Sequence, residues 1–128
     1  MIDASVEGPA RQHPNFHFQR LWLANESRPG QTISLEDWVR ASAPDGDLIL
    51  QIDIEGDEYP VLLNASDTLL SRFRIIALEL HNVTAITAQA GLQLVESLMK
   101  RLLINHEVVH SNQNETCRKV RVGGLTVP

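Results

Sequence analysis

The chain has 128 residues, 43% of them apolar, and a formal net charge of −5 with acids and bases interspersed. This is enough for one modest domain with a real core, and the negative balance argues against a nucleic-acid surface as the main function. Cys117 is the single cysteine, which excludes an internal disulfide and a cysteine-based zinc site, and no apolar run approaches the roughly 20 residues that span a bilayer.

Residues 1–15 are polar, with Gly8, Pro9 and Pro14, and read as an irregular lead-in. Residues 16–24 alternate aromatic or apolar with polar side chains, which predicts a strand. Pro29-Gly30 marks a turn over 25–31. Ser34-Leu-Glu-Asp37 has the outline of a capping box, with Asp where Glu or Gln is usual, and predicts a short helix over 35–41. A second turn at 44–47 leads into Leu48, Ile49, Leu50, Ile52 and Ile54. This near-continuous apolar run is expected of a central parallel strand covered on both faces.

A helical turn follows over 58–64, with Pro60 tolerated in its first turn. Ser66 or Asp67 caps another short helix running to Phe73. Residues 74–80 read as a second buried strand. Residues 84–103 form the longest predicted helix, with Ile86, Ala90, Leu94, Leu98 and Leu102 on one stripe. Two short strands are expected at 107–110 and 119–122. Trp22 and Trp38 read as core or helix-packing residues. Strands alternating with helices indicate an α/β domain with a mostly parallel sheet, whose open edges offer a route to oligomers.

The chemistry-bearing residues fall at the ends of the predicted strands. Asp53 and Glu55 close the first apolar run, beside Gly56, which lets backbone or a ligand come close. Two residues apart, they share a face of an ideal strand. They can act as base and orienter, or as oxygen ligands for a hard cation. Glu79, His81 and Asn82 end the next strand. If the two strands are parallel neighbours, both groups face one cleft, since ligands of open α/β sheets bind outside the carboxyl ends of the strands. Oxygen and imidazole ligands there can hold a divalent metal, or His81 can be a general base and Asn82 a hydrogen-bonding group. The bland alternative is a solvated acid, an acid spent on the next helix, and a histidine that merely ends its strand. His110, with Asn112 and Asn114, follows the third predicted strand. His13, His17 and His106 lie outside this pattern and read as structural or exposed. Four Asn-x-Ser/Thr sequons, at Asn25, Asn64, Asn82 and Asn114, fit a secretory-pathway parent; without a targeting signal in the sequence the default compartment is the cytoplasm.

At Ile52-Asp-Ile-Glu-Gly-Asp-Glu-Tyr59 the chain resembles the FkbM family of S-adenosylmethionine-dependent methyltransferases. Thr32-Ile-Ser-Leu-Glu-Asp-Trp38 is similar to the family's preceding helix and Ile76-Ala-Leu-Glu-Leu-His81 to its next strand. Val109-His-Ser-Asn112 and the stretch from Val122 to Pro128 resemble its closing segments. The resemblance implies a Rossmann-like class I methyltransferase sheet of seven strands flanked by helices, and O-methylation of a small-molecule or carbohydrate hydroxyl. Methyl transfer to a hydroxyl needs a group that removes or polarises its proton, and on the residues' own chemistry Asp53 and His81 are the catalytic candidates, with Glu55 orienting the acceptor or co-ligating a cation and Glu79, Asn82 and His110 toward the acceptor. The family's glycine-rich donor loop has no counterpart in the sequence. Asp3, at the position of a strand-end acid that holds the donor's ribose, is the candidate on the cofactor side. The chain is therefore expected to be one partial domain over 1–128, truncated at both ends. A non-catalytic α/β binding module on the same scaffold is the alternative. A metal-dependent hydrolase using Asp53, Glu55, Glu79 and His81 is a third reading.

Overall fold

The computed structural model describes residues 1–82, 88–112, 120–122 and 125–127, the last two stretches as backbone. Its strands are β1 (Trp22–Ala24), β2 (Thr32–Ser34), β3 (Leu48–Ile52), β4 (Phe73–Leu78), β5 (Val120–Val122) and β6 (Leu125–Val127). Its helices are α1 (Leu35–Ser42), α2 (Glu58–Asn64), α3 (Asp67–Leu70) and α4 (Gln89–Leu102). The strands hydrogen-bond in three pairs: β1 with β2 and β3 with β4 in parallel, β5 with β6 antiparallel. The result is a small α/β structure consistent with a methyltransferase-like fold. The described strands form separate pairs and not one continuous sheet.

The unit that builds the site is β3–α2–α3–β4. Ser34 caps α1 by accepting from the Asp37 N–H at 3.1 Å, as the capping outline predicts. Ser66 caps α3 by accepting from the Leu69 N–H. Pro60 falls in the first turn of α2, where a missing N–H costs nothing. Strands β3 and β4 run side by side with Leu50 opposite Ile76 and Ile52 opposite Leu78, after a register shift between Leu48 and Ile49.

The expectation that β3 is covered on both faces fails. Leu50 and Ile52 are buried, but Ile49 is 71% exposed and its neighbour Ile75 is 52% exposed. Among the described residues the core packs on one face of this pair, so the continuous apolar run becomes an in-out alternation. The core gathers on the covered face, where Leu62 of α2 and Leu98 of α4 are fully buried beside Leu35, Val61, Leu70 and Phe73. Each such side chain contributes on the order of 1.5–3 kcal/mol. The end of α4 is tied down by polar contacts. Arg101 reaches the Ala65 carbonyl and pairs with Asp67, and His106 Nε2 lies 2.7 Å from the Phe73 carbonyl oxygen.

Several other expectations need correction. Only 22–24 of the predicted 16–24 strand is extended, with an isolated parallel bridge between Ile2 and Gln19. Trp22 is 60% exposed because its side chain points away from the core that holds Leu23. In α4, Leu98 and Leu102 are buried, whereas Ala90 and Leu94 are exposed, since the core ends before the helix does. Ile86 and the predicted helix start at 84–87 lie outside the described residues, as do Cys117 and Asn114. Residues 107–110 form no strand and are exposed, and no described strand pairs with them. Among the described residues no helix is long and apolar enough to cross a membrane.

Candidate functional site

The β3 strand stops at Ile52, so Asp53 and Glu55 do not share a strand face as the spacing predicts. Instead the chain turns sharply. Glu55 takes φ 59° and Gly56 φ 113°. The left-handed conformation costs a non-glycine residue about 1–2 kcal/mol, and residues held this way concentrate at functional sites. Gly56 is required twice over. Beyond its φ, a Cβ there would meet Asn82 Nδ2 at 2.7 Å. Asn82, itself at φ 56°, therefore packs its side chain onto the glycine.

What holds this turn is Glu58, in the first turn of α2 and fully buried. One of its carboxylate oxygens accepts from the Ile54 N–H at 2.8 Å and the other from the Gly56 N–H at 2.9 Å. It also accepts from His81, whose Nδ1 lies 2.8 Å from Oε1. Tyr59 adds a hydrogen bond from its hydroxyl to the His81 carbonyl at 3.0 Å. Burial, and then the Glu58 charge, push the Tyr59 phenol above its usual range.

The parallel pairing of β3 with β4 brings the second strand end alongside, with the Glu79 N–H donating to the Ile52 carbonyl. With Nδ1 held by Glu58, His81 Nε2 faces Asp53 Oδ1 and Glu55 Oε2, each at 3.6 Å. Burial alone would lower the imidazole's pKa. The Glu58 hydrogen bond and charge, followed by the charges of Glu55 and Asp53, outweigh it, and the pKa is raised. The side chain of His81 is 23% exposed, that of Asp53 52% and that of Glu55 88%. The group is anchored on one side and open to solvent on the other.

Asp53, Glu55 and His81 are thus brought to one point, and Asn82 lies beside it. Glu79 is exposed at the same strand end. His110 lies in an exposed, irregular stretch and is not part of the cluster. Asp3 is engaged in its own turn: Oδ1 accepts from the Ser5 N–H at 2.7 Å and the Ser5 hydroxyl at 2.6 Å, which lowers its pKa. The sequence reading missed the organising role of Glu58. The signal was present, since Glu58 shares a helix face with Val61 and Leu62, both buried. A buried acid on an apolar helix face needs donors, and the preceding turn supplies them.

The cluster of acids and imidazole thus stands at the carboxyl ends of two parallel strands, where ligands of open α/β sheets bind, and its groups are of the kinds that acid–base or metal-assisted chemistry uses. The model of the methyltransferase FkbM domain matches residues 8–108, most of the chain, and the chain belongs to that family. The match takes in both strand ends and all of α2; His110 and the segment from Val122 lie beyond it. No curated protein and no solved structure matches the chain.

Proposed function

We propose that this chain carries the acceptor side of an S-adenosylmethionine-dependent O-methyltransferase, acting on a small-molecule or carbohydrate hydroxyl. The observation that carries this reading is the convergence of Asp53, Glu55 and His81 on one solvent-open point, with His81 locked by the buried Glu58. Family membership supplies methyl transfer as the reaction class.

The described residues suit a hydroxyl and not the donor. Gly8, Gly30, Gly46, Gly56 and Gly91 stand singly, so they make no glycine-rich cradle, and the Asp3 carboxylate is spent on Ser5. On this proposal the donor cradle lies outside the described residues. The chain's own chemistry is confined to the acceptor. The hydroxyl donates its hydrogen bond to Asp53, which orients an oxygen lone pair away from the protein. Orientation of this kind is the larger part of what a bimolecular transfer needs. As the O–H bond weakens, its proton passes to the Asp53 carboxylate, which is half exposed and can release it to water. His81, fixed through Nδ1 by Glu58, presents Nε2 to the same point, 3.6 Å from Asp53 Oδ1 and Glu55 Oε2.

Calorimetry with S-adenosylmethionine on this chain, and on a form extended upstream in its own reading frame, tests the proposal. The extended form should bind the donor and transfer a labelled methyl group to a hydroxyl acceptor. Asp53→Asn should reduce transfer roughly 100-fold or more, the usual scale of a lost general base. Equal, negligible donor binding by both forms would refute the reading.

A further inference from the structure

We propose that Asp53, Glu55 and His81 bind a divalent first-row cation of the Mn²⁺ or Zn²⁺ kind, with the buried Glu58 as the group that aims the imidazole. The inference rests on the methyltransferase reading only in taking this point as the acceptor end of the site. Three facts carry it. The first is distance. At 3.6 Å, neither carboxylate is within hydrogen-bonding reach of Nε2, so no direct bond closes the triangle. Nε2 stands 3.6 Å from an oxygen of each acid, and one ligand atom of each of the three residues lies within 4.8 Å of the others, so an ion between them would sit roughly 2–2.5 Å from each. That matches the bonds of ~2.0–2.2 Å that imidazole nitrogen and carboxylate oxygen make to such cations.

The second fact is orientation. Glu58 Oε1 accepts the hydrogen bond from Nδ1–H, the tautomer that in the neutral ring leaves the Nε2 lone pair aimed at two carboxylate oxygens. Three electron-rich atoms then face one another across a gap that one cation fills. A carboxylate holding the far nitrogen of a ligating histidine is the usual outer support of a metal site. Glu58 is well suited to that part because it is fully buried and fixed by two backbone N–H groups. The third fact is the ligand set. One imidazole and two carboxylates favour Mn²⁺ or Zn²⁺ over Mg²⁺, which binds through oxygen and gives up its waters reluctantly. Asp53 and Glu55 sit on the open side, so further positions on the ion face solvent and an incoming hydroxyl. A hydroxyl oxygen bound there becomes more acidic, which eases loss of its proton to the second oxygen of Asp53.

The test is calorimetry of the chelator-treated chain with MnCl₂, ZnCl₂ and MgCl₂. One Mn²⁺ or Zn²⁺ per chain should bind, with Mg²⁺ at least about tenfold weaker. Glu55→Gln changes a side chain that is 88% exposed, so the fold should be kept, which circular dichroism checks. It should weaken Mn²⁺ or Zn²⁺ at least about tenfold, and Glu58→Gln about 10–100-fold through the imidazole. No saturable binding below about 1 mM, or an affinity unchanged by Glu55→Gln, overturns the proposal. Donor binding is measured separately in chelator on the extended form. If the extended form binds donor but the chelator-treated chain binds no metal, the methyltransferase reading stands and the cation is removed; if the chain binds metal but the extended form binds no donor, the cation is supported and the methyltransferase reading refuted.

Discussion

Replacing Glu58 by glutamine probes the central arrangement most directly. The carboxylate is fully buried and accepts from the Ile54 N–H, the Gly56 N–H and His81 through its two oxygens. Glutamine keeps the shape but has one acceptor oxygen. With its amide nitrogen at the Oε2 position it faces the Gly56 N–H; at the Oε1 position it faces the Ile54 N–H. Either way one buried donor is left without an acceptor, which costs about 1–3 kcal/mol. The charge-assisted bond to His81, worth about 1.5–3 kcal/mol, is weakened as well. The side chain of His81 is 23% exposed and recovers part of that loss from water. The sum is about 3 kcal/mol, a sizeable share of the roughly 5–15 kcal/mol that holds a domain of this size together. At about 4 °C per kcal/mol for this chain length, the melting temperature should fall by roughly 12 °C. Thermal unfolding followed by circular dichroism measures this, and nitrogen-15 shifts of His81 should lose the signature of a protonated Nδ1. A fall of less than about 3 °C with His81 unchanged would refute the assignment of Glu58 as the organising group.

Two further outcomes follow from the same geometry. Gly56→Ala should cost about 1–2 kcal/mol from the positive φ alone, with more from the 2.7 Å approach to Asn82 Nδ2; in the double variant with Asn82→Gly only the first part should remain, and a double-mutant cycle in urea separates the two. The pKa of His81 is raised in the folded state, so its contribution to stability is fully present below its unfolded value of about 6.5 and is lost as pH rises through the folded value. Urea midpoints should therefore fall over that range, and His81→Gln should flatten the slope; equal slopes in both proteins would show that the imidazole gains no net stabilisation from its three carboxylates.

The sequence by itself determined the local units. Ser34 and Ser66 cap their helices through side-chain oxygens, which needs only the few residues that follow. The span of α2, with Pro60 in its first turn, was legible for the same reason. The family was legible too, because Ile52 to Tyr59 and Ile76 to His81 lie in order inside the matched region. Asp53, Glu55 and His81 were legible as candidates, since acids and a histidine at the ends of apolar runs announce themselves.

Only the tertiary structure decided how they meet. The parallel register of β3 with β4 sets His81 against Glu58, 23 residues earlier in the chain, a separation that local propensity does not encode. The turn that replaces an ideal strand end moves Glu55 off the pleat, so both carboxylates face Nε2 through the turn and not by strand alternation. The covered face of β3 depends on where α2 and α4 pack, which is why an unbroken apolar run ends with Ile49 in solvent. Glu58 belongs to the same category. Its helix position was readable, but its burial, and with it the whole orientation of His81, is a property of packing.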